Sequence, residues 1–102
     1  MEIIDQIIKK KFNNIILYGR GIKTYEAITK LNALKIQLKG ITCEDENLTS
    51  IFGFKNVKIN DLKINDLLII CSSIEKVKPI HEEIDHLLAE GVKTSNYYEQ
   101  CF

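Results

Sequence analysis

The run Asn14-Ile15-Ile16-Leu17-Tyr18-Gly19-Arg20-Gly21-Ile22-Lys23-Thr24 decides how this chain is read. Its apolar part, Ile15 to Tyr18, has the composition of a fully buried strand. The strand breaks on a pair of glycines and passes directly into a helical pattern, Tyr25 to Leu34. A strand, a G-x-G turn and a helix in that order begin a phosphate-binding βα unit. Gly19 is expected to make the tight turn, and Gly21 to let the backbone approach a phosphate that a Cβ would keep away. The helix that follows would offer free N–H groups and the positive end of its dipole. Thr24 stands where the full G-x-G-x-x-G has its third glycine; its hydroxyl can cap the helix or bond a phosphate. An acidic group, Glu44-Asp45-Glu46, lies about 25 residues on. A βα turn in a fold that no longer binds a nucleotide would read the same way.

Composition narrows the class. A chain of 102 residues, 45% hydrophobic and 27% charged, is expected to form one soluble globular domain. No apolar run approaches the ~20 residues of a bilayer span, and the start lacks a signal-peptide pattern, so a cytoplasmic location is expected. Cys43, Cys71 and Cys101 are odd in number and unrelated in spacing, which suits reduced thiols rather than a disulfide framework. Net charge is zero, so nothing global draws the chain to nucleic acid. The charge is nonetheless uneven. Residues 1–40 hold eight Lys/Arg against three acids, and residues 41–102 hold six against eleven. Arg20, the one arginine, sits between the two glycines of the turn. It suits a bidentate phosphate contact, or it is a solvated turn residue.

The rest of the chain repeats one grammar. Residues 2–12 read as an amphipathic helix (Ile3, Ile4, Ile7, Ile8), followed by the strand at 15–18 and a helix over 23–34 with Tyr25, Ile28, Leu31 and Leu34 along one side. A strand is expected over 35–43, a single helical turn over 48–52, a short strand over 55–59 and a buried strand over 67–71. Pro79 suits the first turn of a helix over 79–90, with Ile80, Ile84, Leu87 and Leu88 as its core stripe and Gly91 as its cap. A short strand over 92–95 and an aromatic tail over 96–102 complete the chain. Strands alternating with helices imply a parallel sheet covered on both faces, and the crossover rule gives the strand order 3-2-1-4-5.

Other chemistries fit less well. His81 and His86 are five residues apart, so on a helix they diverge by about 140° and cannot share one metal. No Cys/His spacing resembles a zinc site. The aspartates of a receiver domain and the early cysteine of a phosphotransferase component are both missing from their places. Cys71 ends a buried strand with no base in sight, so it reads as a core thiol. No catalytic set emerges.

Three segments carry a resemblance: Tyr18-Gly19-Arg20-Gly21-Ile22-Lys23-Thr24; Gly40-Ile41 with acids soon after; and Asp66-Leu67-Leu68-Ile69-Ile70-Cys71-Ser72-Ser73. Together they resemble the small Rossmann-like domains of bacterial surface-sugar proteins, such as the N-terminal domains of sugar acetyltransferases and related methyltransferase or glycosyltransferase proteins. The resemblance covers residues 14 to about 95. It implies a three-layer α/β sandwich and a nucleotide- or dinucleotide-binding module for NAD(P), CoA or a nucleotide-sugar. Gly19, Arg20, Gly21, Ile22 and Thr24 would hold phosphate, Glu44 or Asp45 the ribose, and Ser72 and Ser73 the opposite wall. The family's first aspartate after the second strand falls on Cys43 here. Its catalytic domain has no counterpart in these residues, so the chain is expected to act with a partner: a second copy, docked through the Ile3–Ile8 stripe and the tail, or a separate catalytic protein. The alternative is a Rossmann-like interaction domain that binds no nucleotide.

Overall fold

Every residue of the two central strands is buried, and successive side chains enter cores on opposite faces of the sheet. The computed structural model describes residues 12–45, 47–72 and 74–97. Strand β1 (Ile15–Tyr18) and strand β5 (Leu67–Ile70) pair in parallel, with Ile15 opposite Leu67 and Tyr18 opposite Ile70. Between them in sequence come helix α1 (Ile22–Ala33), strand β2 (Gly40–Thr42) and a two-stranded hairpin, β3 (Ser50–Ile51) and β4 (Phe54–Lys55). After β5 follow α2 (Ile74–Glu83), α3 (Asp85–Ala89) and strand β6 (Lys93–Asn96). Among the described residues the main sheet is β2-β1-β5-β6, parallel throughout.

Side chains of a strand point to opposite faces in turn. Ile15, Leu17, Leu67 and Ile69 therefore pack with Ala27 and Leu31 of α1 on one face. Ile16, Tyr18, Leu68 and Ile70 pack with Ile80 of α2 and Leu87 of α3 on the other. Helices thus cover both faces, as the apolar strands require.

Several expected boundaries move. On α1 the buried residues are Thr24, Ala27 and Leu31, whereas Tyr25 and Leu34 of the expected stripe are exposed. The helix ends in a Schellman arrangement: Lys35 takes φ +60, its N–H donates to the Asn32 carbonyl, and that of Ile36 to the Leu31 carbonyl. Those two residues are consumed by the cap, so β2 starts at Gly40 rather than at residue 35.

The helical turn expected over 48–52 is instead the β3–β4 hairpin, its two-residue loop formed by Phe52 (φ +51) and Gly53 (φ +81). Positive φ at both loop residues matches the twist of a tight hairpin. The strand expected over 55–59 is reduced to one parallel bridge, Asn56 opposite Ile41. The Val57 N–H donates to the Ile41 carbonyl there, the Asn56 side-chain Nδ2 donates to the carbonyls of Leu48 and Asp45, and the chain then enters a 3-10 turn over Ile59–Asp61.

The helix expected from Pro79 begins five residues earlier, at Ile74, so that Pro79 lies inside α2. A break at Ile84 (φ −102, ψ 12) then separates α2 from α3. Gly91 (φ +103) closes α3 as expected. Tyr97, expected in a docking tail, is buried in the core of the α1 face. Its hydroxyl donates to Glu26 at 3.4 Å, and the Lys30 ammonium stands 5.8 Å from its ring. The helix expected over 2–12, residues 98–102 and Ser73 fall outside the described residues, apart from Phe12, which packs against the α1-face core.

Asp66 is 1% exposed at the amino end of β5. One carboxylate oxygen accepts from Asn14 Nδ2 at 3.0 Å and the other from the Lys63 N–H at 2.9 Å. It locks the entries to both central strands, at the end of the sheet away from the glycine turn. Asp66→Ala strands both donors and is expected to cost about 2–4 kcal/mol, read as a lower urea midpoint at unchanged slope.

Candidate functional site

The carboxyl ends of β1 and β5 are where the chain reverses direction across the sheet: β1 leads through α1 to β2 on one side, and the next central strand, β5, joins on the other. Such a switch point leaves a crevice above the sheet. An open cleft of about 740 Å³ lies there. From β1 and its turn it takes Tyr18, Gly19, Arg20, Gly21, Ile22 and Lys23, and from beyond β2 it takes Cys43 and Glu44. Cys71 and Ser72 come from the end of β5, and Lys76, Pro79, Ile80 and Glu83 form a wall along α2.

The two glycines of the turn differ in what they do. Gly19 has φ +130, and a Cβ there would meet Thr24 Oγ1 at 2.7 Å and the Cys71 carbonyl oxygen at 2.9 Å. It is glycine because the protein itself fills the space. Gly21 caps α1 with φ −101 and ψ −165, a conformation open to any residue, and a Cβ there would meet nothing within 4 Å. Neither its backbone nor its neighbours require glycine, and its Cα borders the cleft.

Thr24 is fully buried under Gly19 and does not reach the cleft wall. It fills the helix–strand contact that a third glycine would make in G-x-G-x-x-G, and it fits because Gly19 carries no side chain. Its hydroxyl finds no partner of ordinary hydrogen-bond geometry and lies beside the Cys71 thiol, whose ionised form it favours.

The candidate site residues divide accordingly. Gly19, Arg20, Gly21, Ile22, Glu44 and Ser72 share one cleft. Asp45 stands outside it and pairs with Arg20, Nη1 to Oδ2 at 3.6 Å, the Arg20 side chain half exposed and that of Asp45 partly so. An exposed pair at that distance holds weakly, so Arg20 is free to exchange Asp45 for a bound anion. The α2 wall was not foreseen, because a helix taken to start at Pro79 leaves Lys76 in a loop. Tyr18 was readable only as a strand residue, although the last residue of a strand before such a turn faces the crevice.

Two groups in the cleft are displaced in their titration. Burial pushes the Tyr18 phenol up to about 12, with the charges of Glu83, Glu44 and Cys43 adding to it. Burial likewise raises the Cys71 thiol from 9.0 to about 12, against smaller opposing effects of Thr24 and Lys23. The thiol donates to the Ile69 carbonyl at 3.6 Å. At neutral pH it is protonated and a poor nucleophile.

A folded state that keeps a proton the unfolded chain has lost is destabilised as pH rises. Stability is therefore expected to fall from pH 9 to about 12, by up to about 1.4 kcal/mol per pH unit for the thiol, with Tyr18 joining above pH 10. Urea midpoints across that range should flatten in Cys71→Ala; an unchanged slope would remove the thiol from the account.

Among the described residues no cluster of His, Cys, Asp and Glu could hold a metal ion, and no helix is long and apolar enough to cross a membrane. Fold and site together define a small α/β domain with a parallel sheet and an open cleft at the carboxyl ends of its central strands. Comparison with known proteins gives no matching family model and no matching curated protein.

Proposed function

We propose that this domain is a nucleotide- or dinucleotide-binding module, its ligand lying across the cleft with phosphate on the Gly19–Ile22 turn. NAD(P), CoA and nucleotide-sugars are the ligand classes, and a role in surface-sugar biosynthesis follows from the resemblance set out above. The observation that carries the reading is Gly21: a helix N-cap beside an open cleft, whose ordinary backbone and open surroundings would admit a serine, threonine or aspartate cap, yet which carries no side chain. A missing Cβ at such a place is explained by a ligand that approaches the backbone. Arg20 and Lys23 border the same space and supply positive charge. Glu44, the acid left after β2, suits a ribose.

The module binds without a reaction of its own and works with a partner, either a second copy or a separate catalytic protein. A thermal-shift screen of the full chain against NAD(P), CoA, nucleotides and sugar nucleotides tests this. A saturable shift with one of these classes is expected; no shift with any of them contradicts the reading.

The alternative, an interaction domain, draws on the other side of α1. Tyr25 and Phe52 are both about half exposed and meet edge to face at 5.7 Å, beside a groove of about 510 Å³ lined by Ile28, Ile36, Leu38 and Phe54.

A further inference from the structure

The glycine turn accounts for only one end of the cleft. A phosphate group fills a small part of about 740 Å³, a volume on the scale of a whole small-molecule ligand. The remainder lies against Tyr18 and the α2 wall.

Tyr18 is 7% exposed, lines the cleft, and its hydroxyl makes no hydrogen bond to a described residue. The hydroxyl is not among the buried polar atoms that lack a partner: it opens into the cleft, where it is left for water or a ligand. Two carboxylates, Glu83 from α2 and Glu44 from beyond β2, line the same cleft as the phenol, and their charges add to its raised pKa. The phenol stays protonated, so this region offers an O–H donor beside carboxylate acceptors.

The mixed set discriminates. A second phosphate would face two carboxylates. An ammonium would face Lys76 on the same wall and leave the phenol O–H unused. An apolar group would strip water from the carboxylates without replacing it. Hydroxyl groups donate and accept at once, and the apolar surfaces of Pro79 and Ile80 suit the C–H face of a sugar ring.

We propose that Tyr18, Glu83 and Glu44 form a polyol subsite, which takes the sugar of a phosphorylated ligand whose phosphate rests on the glycine turn. This rests on the phosphate reading above and narrows it to sugar phosphates and sugar-bearing nucleotides.

The test titrates the ¹⁵N-labelled full chain, followed by amide chemical shifts, with three probes: inorganic phosphate, cyclohexyl phosphate and glucose 1-phosphate. Glucose 1-phosphate is expected to bind about tenfold tighter than cyclohexyl phosphate, the worth of one or two hydrogen bonds. Glu83→Gln and Tyr18→Phe are expected to erase that preference, so that the two organic phosphates bind alike. Glu83 is exposed, so its variant decides the matter even where Tyr18→Phe fails to fold.

Equal affinity for the two organic phosphates, with Glu83→Gln silent, overturns the subsite while the phosphate turn stands. No response to any probe, inorganic phosphate included, overturns both.

Discussion

Gly19→Val is expected to lower stability by about 2–6 kcal/mol, a large part of what holds a domain of this size together. The magnitude combines two causes. Gly19 has φ +130, where an L side chain is strained by about 1–3 kcal/mol. The new Cβ would also press on Thr24 Oγ1 and the Cys71 carbonyl. The carbonyl belongs to backbone and cannot swing aside, and Thr24 is packed at 0% exposure, so overpacking adds about 1–3 kcal/mol. Urea denaturation followed by circular dichroism reads the effect as a lower midpoint. A variant as stable as the parent would mean that the turn relaxes freely, and the packing of Thr24 under Gly19 would then be misread.

Gly21→Val, two residues on, is expected to behave in the opposite way. Its backbone conformation is ordinary and its Cβ would stand in open space, so the fold should lose no more than about 1 kcal/mol, the difference between glycine and valine as a helix N-cap. Ligand binding should be lost, because the branched side chain occupies the space that the phosphate needs. Arg20→Ala, whose exposed pair with Asp45 contributes little to stability, should weaken binding by about 1–3 kcal/mol, the scale of a charged hydrogen bond. Calorimetric titration with the best ligand from the screen separates the three cases. Unchanged affinity in both Gly21→Val and Arg20→Ala would favour the interaction reading.

Elements whose signal is local were legible in the sequence. Ile15–Tyr18 and Leu67–Ile70 are apolar on both faces, and only a parallel sheet covered by helices buries such strands. Elements whose form depends on distant partners were not legible. The Schellman cap at Lys35 took residues that alternate like a strand. The expected edge strand is cut to a single bridge because the chain turns into the 3-10 segment at Ile59.

Pro79 misled for a different reason. Proline favours a first turn, yet here it sits mid-helix with Glu75, whose carbonyl loses its N–H donor, exposed to water.

Within the site, the glycine turn, Glu44 and Ser72 were readable from motif and strand ends. Glu83 was not, since its place in the cleft depends on how α2 lies against the sheet, and Tyr18 was read only as a buried strand residue although it ends β1. Asp66, which opens the third of the segments that carry the resemblance, is explained without a ligand, by its bonds to Asn14 and Lys63.

The most direct test of the central claim is an amide chemical-shift titration of the full chain with NAD, coenzyme A and UDP-glucose, each added separately. The account predicts that at least one of them produces saturable shifts centred on Gly19, Arg20, Gly21, Ile22 and Ser72. Silence at those amides with all three, or shifts confined to Tyr25, Ile36 and Phe54 on the other side of α1, would contradict it.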